Sequence, residues 1–390
     1  MIHKLSIALV VGTRPEAIKL APVYLALKAS SHFQPLILST GQHREMLHQA
    51  LAAFDITPDH DLELMTPGQS LPELTAKTIA AVSGFLKTAA PTAVLVQGDT
   101  TSVLAASLAA SYERIPVGHV EAGLRTYDMN SPWPEEINRR LTAPLCRWCF
   151  APTEESKANL LSERIDPNCI HVTGNTVIDS LYWVRERMNK TSKSVADLAA
   201  RLNLPETFRS RFLERPDSRW LLVTGHRRES FGQGFEEICE ALLQIANAHP
   251  DVGILYPVHL NPNVREPVNR LLAGNERIAL VEPASYEDFI WLMDHCYFVM
   301  SDSGGVQEEA PSLGKPVLVL RETTERPEGV VAGTCKLVGT NPVVILREVA
   351  RLLGDSAEYQ RRSTLANPYG DGTAAARIVG VLERDLIGSK

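Results

Sequence analysis

The chain alternates short, continuous apolar runs with longer stretches in which apolar positions recur every three or four residues. Residues 5–11, 34–40, 93–97, 116–120 and 148–151 are runs of strand length, apolar enough to be buried on both faces. Helical patterns lie between them: 14–29, with Ile18, Pro22, Leu25 and Ala29 on one face, then 71–87 and 101–112. Pro15 falls in a first turn, where a missing N–H costs little. A polar stretch at about 185–218 lacks strand patterns, after which the rhythm restarts at 220–224, 253–258, 278–281, 298–301 and 316–320. Strands joined by helices build mainly parallel sheets covered on both faces. The pattern therefore predicts an α/β protein of two doubly wound, Rossmann-like domains facing a cleft. The first spans 1–175 and the second 176–367, with a terminal helix in 368–390 returning to the first.

Composition narrows the class. At 390 residues the chain is long for a single core, which fits two domains. A net charge of −7 with no long basic run excludes a nucleic-acid surface. Met1-Ile2-His3-Lys4 and the apolar run after it resemble a short signal peptide. The run ends in Gly12-Thr13-Arg14-Pro15-Glu16 without a small-residue cleavage site, so it reads as a first buried strand. No stretch approaches the ~20 apolar residues that span a bilayer, which predicts a soluble, cytoplasmic protein with no membrane partner. The six cysteines are scattered and read as buried free thiols. Cys146 and Cys149 make one Cys-x-x-Cys with no second pair, so no metal is expected.

Chemistry-bearing strings follow the apolar runs. Gly98-Asp99-Thr100-Thr101 comes after one, His119-Val120-Glu121-Ala122-Gly123-Leu124-Arg125 closes another, and Pro134-Glu135-Glu136 comes shortly after. Ligands in open parallel sheets sit at strand ends. Each carboxylate alone is equally explained by a helix cap or an arginine partner. Three in one half, with basic loops elsewhere, favour a catalytic cleft. In the other half, Ser301-Asp302-Ser303-Gly304-Gly305 runs from a strand into a helix pattern, a turn that suits a pyrophosphate. Glu309, one turn on, is placed for a ribose diol, and Gly225-His226-Arg227-Arg228-Glu229 offers cations for phosphate. Arg321–Glu328 is a mixed-charge string just past another strand. Gly232-Gln233-Gly234 lacks the third glycine of a dinucleotide fingerprint, and no Walker loop or nucleophile elbow is present.

Taken in order, these strings resemble the bacterial non-hydrolysing UDP-N-acetylglucosamine 2-epimerase family nearly end to end. The resemblance rests on Gly12-Thr13-Arg14-Pro15-Glu16-Ala17-Ile18-Lys19, Thr40-Gly41-Gln42-His43-Arg44-Glu45-Met46-Leu47 and Gln97-Gly98-Asp99-Thr100-Thr101. Further support comes from His119–Arg125, Ser131-Pro132-Trp133-Pro134-Glu135-Glu136, Gly174-Asn175-Thr176, Gly225–Glu229 and Ser301–Glu309. It implies the GT-B-like fold of nucleotide-sugar glycosyltransferases, a homodimer, and neither metal nor NAD as cofactor. The implied activity is interconversion of UDP-GlcNAc and UDP-ManNAc by elimination of UDP to 2-acetamidoglucal and re-addition, supplying surface polysaccharide.

The resemblance also implies roles for individual residues. Arg14 and Lys19 lie near the substrate phosphates, Asp99, Glu121 and Glu135 are the catalytic carboxylates, and His226 helps hold and expel UDP. Phe289 stacks on uracil, backbone near Ala284 reads the base edge, and Ser303, Gly304 and Gly305 hold the pyrophosphate. Glu309 takes the ribose and Arg326 a further phosphate or uridine contact. Many bacterial relatives have a second, activating UDP-GlcNAc site, which would fall at Gln42 and Glu45. Here Glu45 replaces a glutamine, and Pro67-Gly68-Gln69 stands near where relatives have an arginine. The alternatives are an epimerase of another UDP-2-acetamido sugar, a UDP-sugar glycosyltransferase of the same fold, and a catalytically dead UDP-sugar sensor.

Overall fold

The structure is a computed structural model describing residues 4–41, 44–66, 68–191, 194–215 and 217–388. The chain divides into two compact units, Met1–Trp183 with Tyr369–Lys390, and Val184–Pro368. Each holds one parallel sheet with helices on both faces, the doubly wound arrangement.

The first sheet contains β1 (Leu5–Val11), β2 (Phe33–Ser39), β3 (His60–Asp61), β4 (Ala93–Gln97), β5 (Val117–Val120), β6 (Trp148–Ala151) and β7 (Ile170–Val172). Its order is β3-β2-β1-β4-β5-β6-β7, so the winding direction reverses between β1 and β4. The second contains β8 (Arg219–Thr224), β9 (Val252–Pro257), β10 (Ile278–Val281), β11 (Phe298–Ser301), β12 (Val317–Val319) and β13 (Cys335–Leu337). Its order is β10-β9-β8-β11-β12-β13, reversing between β8 and β11. At such a switch point the following loops diverge to opposite faces and leave a crevice. The crevices are therefore bordered by the loops after β1 and β4 in one unit, and after β8 and β11 in the other.

The stretch at 185–218, read as lacking strands, is helical in large part, beginning with the end of helix Thr176–Thr191. Phe212 from this stretch packs against β9 because residue 253 is glycine; a Cβ there would lie 2.7 Å from the Phe212 ring.

Helix Arg14–Ala29 keeps its regularity across an internal proline. Pro22 has no N–H to give to the carbonyl four residues back, at Ile18. The buried Ser180 hydroxyl donates to that carbonyl at 2.6 Å instead. Helix Ala374–Leu386 is tied to the first unit at both ends. Asp179 accepts the N–H groups of Ala374 and Ala375 at 3.2 and 2.9 Å, and Trp148 Nε1 donates to Asp385 at 2.8 Å. No described helix is long and apolar enough to cross a membrane. The six cysteines are free thiols, five of them buried and Cys169 half-buried.

Candidate active site

In the first unit, Gly12-Thr13-Arg14 turns from β1 into a helix whose start is fixed by Glu16. The Glu16 carboxyl accepts the N–H of Gly12 at 2.5 Å and of Thr13 at 3.2 Å, a capping-box arrangement. Burial pushes Glu16 up to about 7 despite these hydrogen bonds. Arg14 is half-buried at the helix start. Lys19, one turn further, makes an ion pair with Glu121.

Glu121 follows β5 with φ +66°, a left-handed conformation uncommon for a residue with a side chain. Strain of this kind persists where surrounding contacts fix the residue. Lys19 holds the carboxylate from one side, and Gln97, last residue of β4, donates to it at 2.8 Å. Two residues on, Gly123 has φ +94°, and a Cβ there would sit 2.2 Å from the Ser156 carbonyl oxygen. Only glycine can make this turn.

Asp99 follows β4. Its carboxylate pairs with Arg139 at 2.7 Å, and its backbone carbonyl accepts from Asn138 at 2.8 Å. Both partners belong to helix Glu135–Thr142, which is thereby docked onto the Asp99 loop. Arg139 also donates to Glu136 at 3.1 Å, and Glu136 takes the N–H groups of Thr126 and Tyr127. Glu135 lies at the start of this helix, and its Oε2 is buried with no hydrogen-bond partner among the described residues. A buried acceptor left open is costly unless something outside the chain fills it. The structure thus brings Lys19, Asp99, Glu121 and Glu135 to one end of the sheet.

His119 and Arg125, from the same string, have structural roles. His119 is 1 % exposed with Nε2 2.7 Å from the Gly98 carbonyl oxygen, and burial pulls its ring down to about 4. It is a neutral pin for the turn before Asp99. Arg125 makes two hydrogen bonds to Glu163, at 2.9 and 2.7 Å.

In the second unit, His226 follows β8 and Asp302 follows β11. Asp302 accepts the N–H of His226 at 2.7 Å and of Arg227 at 2.8 Å, and its other oxygen lies 3.1 Å from His226 Nδ1. The His226 ring stacks on His259 at 5.7 Å. Ser303 begins helix Gly304–Glu309, with Gly304 buried and Gly305 half-buried. Glu309 is buried, and Tyr286 Oη donates to it at 2.9 Å. Ala284 and Phe289 are both half-buried, just before and within helix Tyr286–His295.

Arg326 donates through Nε to Glu308 at 2.5 Å. Glu325 lies between Arg227 at 3.0 Å and Arg321 at 2.5 Å, and Arg321 also reaches Glu229. Burial opposes ionisation of Glu325, but Arg227, Arg326 and Arg321 together hold it at about 2. Gln42 lies outside the described residues, and Glu45 belongs to helix Arg44–Ala52.

The profile of the family described as UDP-N-acetylglucosamine 2-epimerase matches residues 25–383. The UDP-N-acetylglucosamine 2-epimerase of Escherichia coli K12 is 55% identical over 378 residues, covering 97% of this chain and 98% of its own. The chain belongs to the UDP-N-acetylglucosamine 2-epimerase family. The crystal structure of the Neisseria meningitidis UDP-GlcNAc 2-epimerase bound to UDP-GlcNAc superposes with TM-score 0.88 at 47% identity, covering 97% of this chain and 100% of that one. The Methanocaldococcus jannaschii enzyme, in complex with UDP-GlcNAc and UDP, gives TM-score 0.77 at 33% identity, covering 97% and 99%. These neighbours share the two-domain GT-B-like fold.

Of the residues that hold the carboxylates and the histidine, Asn138 and Arg139 fell outside the sequence strings, while Gln97 and Asp302 lay inside them without an assigned role. Some signal was present. Arg139 stands three residues after Glu136, within reach on a helix, and Asp302 lies inside the Ser-Gly-Gly string. Neither spacing reveals that the partners are Asp99, 40 residues away, and His226, 76 residues away.

Proposed function

We propose that this chain interconverts UDP-N-acetylglucosamine and UDP-N-acetylmannosamine, acting as a cytoplasmic homodimer that supplies surface polysaccharide synthesis. The observation carrying this reading is the cluster of Asp99, Glu121 and Glu135, with one buried oxygen of Glu135 left open. A glycosyltransferase or a UDP-sugar sensor needs a nucleotide site but has no use for such a cluster.

The hydrogen on C2 of the sugar is not acidic, because no carbonyl adjoins it. Departure of UDP from C1 through an oxocarbenium-like state makes it removable, and carboxylates stabilise that state. Glu135, with its open oxygen, exchanges the C2 proton on one face of the ring in this scheme, and a second carboxyl of the set serves the opposite face. Glu121, held by Lys19 and Gln97, and Asp99, held by Arg139, supply fixed negative charge beside the ring. Arg14 and Lys19 serve the phosphates. In the second unit Ser303, Gly304 and Gly305 hold the diphosphate, Glu309 the ribose, Phe289 and Ala284 the base, and Arg326 a further contact. His226 stabilises the charge growing on the leaving group. Reprotonation on the opposite face and return of UDP give the C2 epimer, and the glucal intermediate remains bound in between.

The test is incubation with UDP-N-acetylglucosamine alone in D₂O, followed by NMR. UDP-N-acetylmannosamine carrying deuterium at C2 is expected. An unchanged substrate would point to a transferase or a sensor, and full retention of the C2 hydrogen during turnover would rule out elimination.

A further inference from the structure

We propose that Asp302 is the positioning residue for His226, fixing the ring with its proton on Nδ1 so that Nε2 alone exchanges a proton with the departing diphosphate. The proposal rests on the epimerase reading for its chemistry, but its geometry stands independently. Asp302 and His226 follow β11 and β8, the neighbours at the switch point of the second sheet, where Ser301 pairs in register with Thr224. Asp302 Oδ2 accepts two backbone N–H groups, from His226 and Arg227, which fixes both the loop and the carboxylate plane. Oδ1 is buried with no hydrogen-bond partner among the described residues. The side chain is 2 % exposed, so solvent does not reach that oxygen freely. His226 Nδ1 stands 3.1 Å from that oxygen, at ion-pair distance, and alignment of its N–H on this open acceptor completes the proposed pair.

A neutral imidazole carries one proton, and a carboxylate beside one nitrogen decides which nitrogen has it. Burial opposes ionisation of Asp302, yet the contacts with His226 and the two N–H groups hold its carboxyl below the ordinary range. Asp302 is therefore an acceptor near neutral pH, and the proton belongs on Nδ1. As the C1–O bond breaks, its electron pair passes to the diphosphate oxygen. For the step to balance, bare Nε2 first takes a proton from water as the diphosphate binds. It gives that proton to the departing oxygen and recovers it on re-addition. Release of the product returns it to water, so His226 ends each cycle as it began. The same logic operates in the serine-protease triad, where a buried aspartate orients the catalytic imidazole.

The tautomer can be read directly by long-range ¹⁵N NMR on the full, ligand-free chain, with the His226 signal assigned by its loss in His226→Gln. The expected wild-type spectrum shows the neutral ring protonated at Nδ1 and bare at Nε2. In Asp302→Asn the amide oxygen can keep the two backbone hydrogen bonds, but its NH₂ then faces Nδ1 and drives the proton to Nε2. kcat is expected to fall about 10²-fold or more, the range for lost acid–base catalysis, with UDP affinity little changed. In a His226→Gln background the same substitution should cost nothing further. A wild-type ring protonated at Nε2 overturns the proposal even if the variant does not fold. So does a full-sized additive loss in the double variant. The spectrum needs no turnover, so absence of epimerisation would sink the functional reading while the tautomer still decides this one.

Discussion

Glu16→Gln should raise stability at alkaline pH while leaving it unchanged in acid. Glu16 is 2 % exposed and pushed by burial from an ordinary 4.5 to about 7. Between those values the folded chain holds a proton that the unfolded chain has released. Stability from the protonated carboxyl is therefore full below pH 4.5 and lost as pH rises to about 7. At roughly 1.4 kcal/mol per pH unit, the window corresponds to about 3 kcal/mol. Glutamine keeps an oxygen for the N–H groups of Gly12 and Thr13 but has no charge to desolvate. Urea unfolding of wild type and variant, at several values between about pH 4 and pH 8.5, reads the difference from the midpoints and slopes. The two curves should coincide at the acid end and separate by about 3 kcal/mol at the alkaline end. A difference independent of pH, or a variant weaker than wild type at the alkaline end, would refute the argument that burial dominates this carboxyl.

Further substitutions probe chemistry and packing. Asp99→Asn should lower kcat at least ~10²-fold with UDP affinity by calorimetry little altered; near-normal turnover would make the carboxylate a structural partner of Arg139. Ser180→Ala should cost about 1–3 kcal/mol by stranding the Ile18 carbonyl beside Pro22. Adding Pro22→Ala, which restores an N–H to that turn, should recover most of the loss, and additive losses would show that the hydroxyl has another role.

The sequence by itself determined the two parallel-sheet units, because central strands buried on both faces must be continuously apolar. β1, β4, β8 and β11 all carry that mark. It also marked the loops that could bear chemistry, since Gly98-Asp99, His119–Arg125 and Ser301–Gly305 each adjoin a strand end. Short edge strands left no such mark. β3 is only His60-Asp61 and β13 only Cys335–Leu337, and both exist because a neighbouring strand offers its edge. The Arg125 and His119 side chains could be sorted from the catalytic candidates only once Glu163 and the Gly98 carbonyl were seen beside them. The partners of Asp99, Glu121 and His226 were likewise decided by tertiary structure. Gln97 meets Glu121 and Asp302 meets His226 because sheet order sets β4 beside β5 and β11 beside β8, and Arg139 meets Asp99 because helix Glu135–Thr142 docks onto the loop after β4. Periodicity reports which face of an element is buried, but the charge beside a carboxylate depends on which strands become neighbours, and that is a property of the whole sheet.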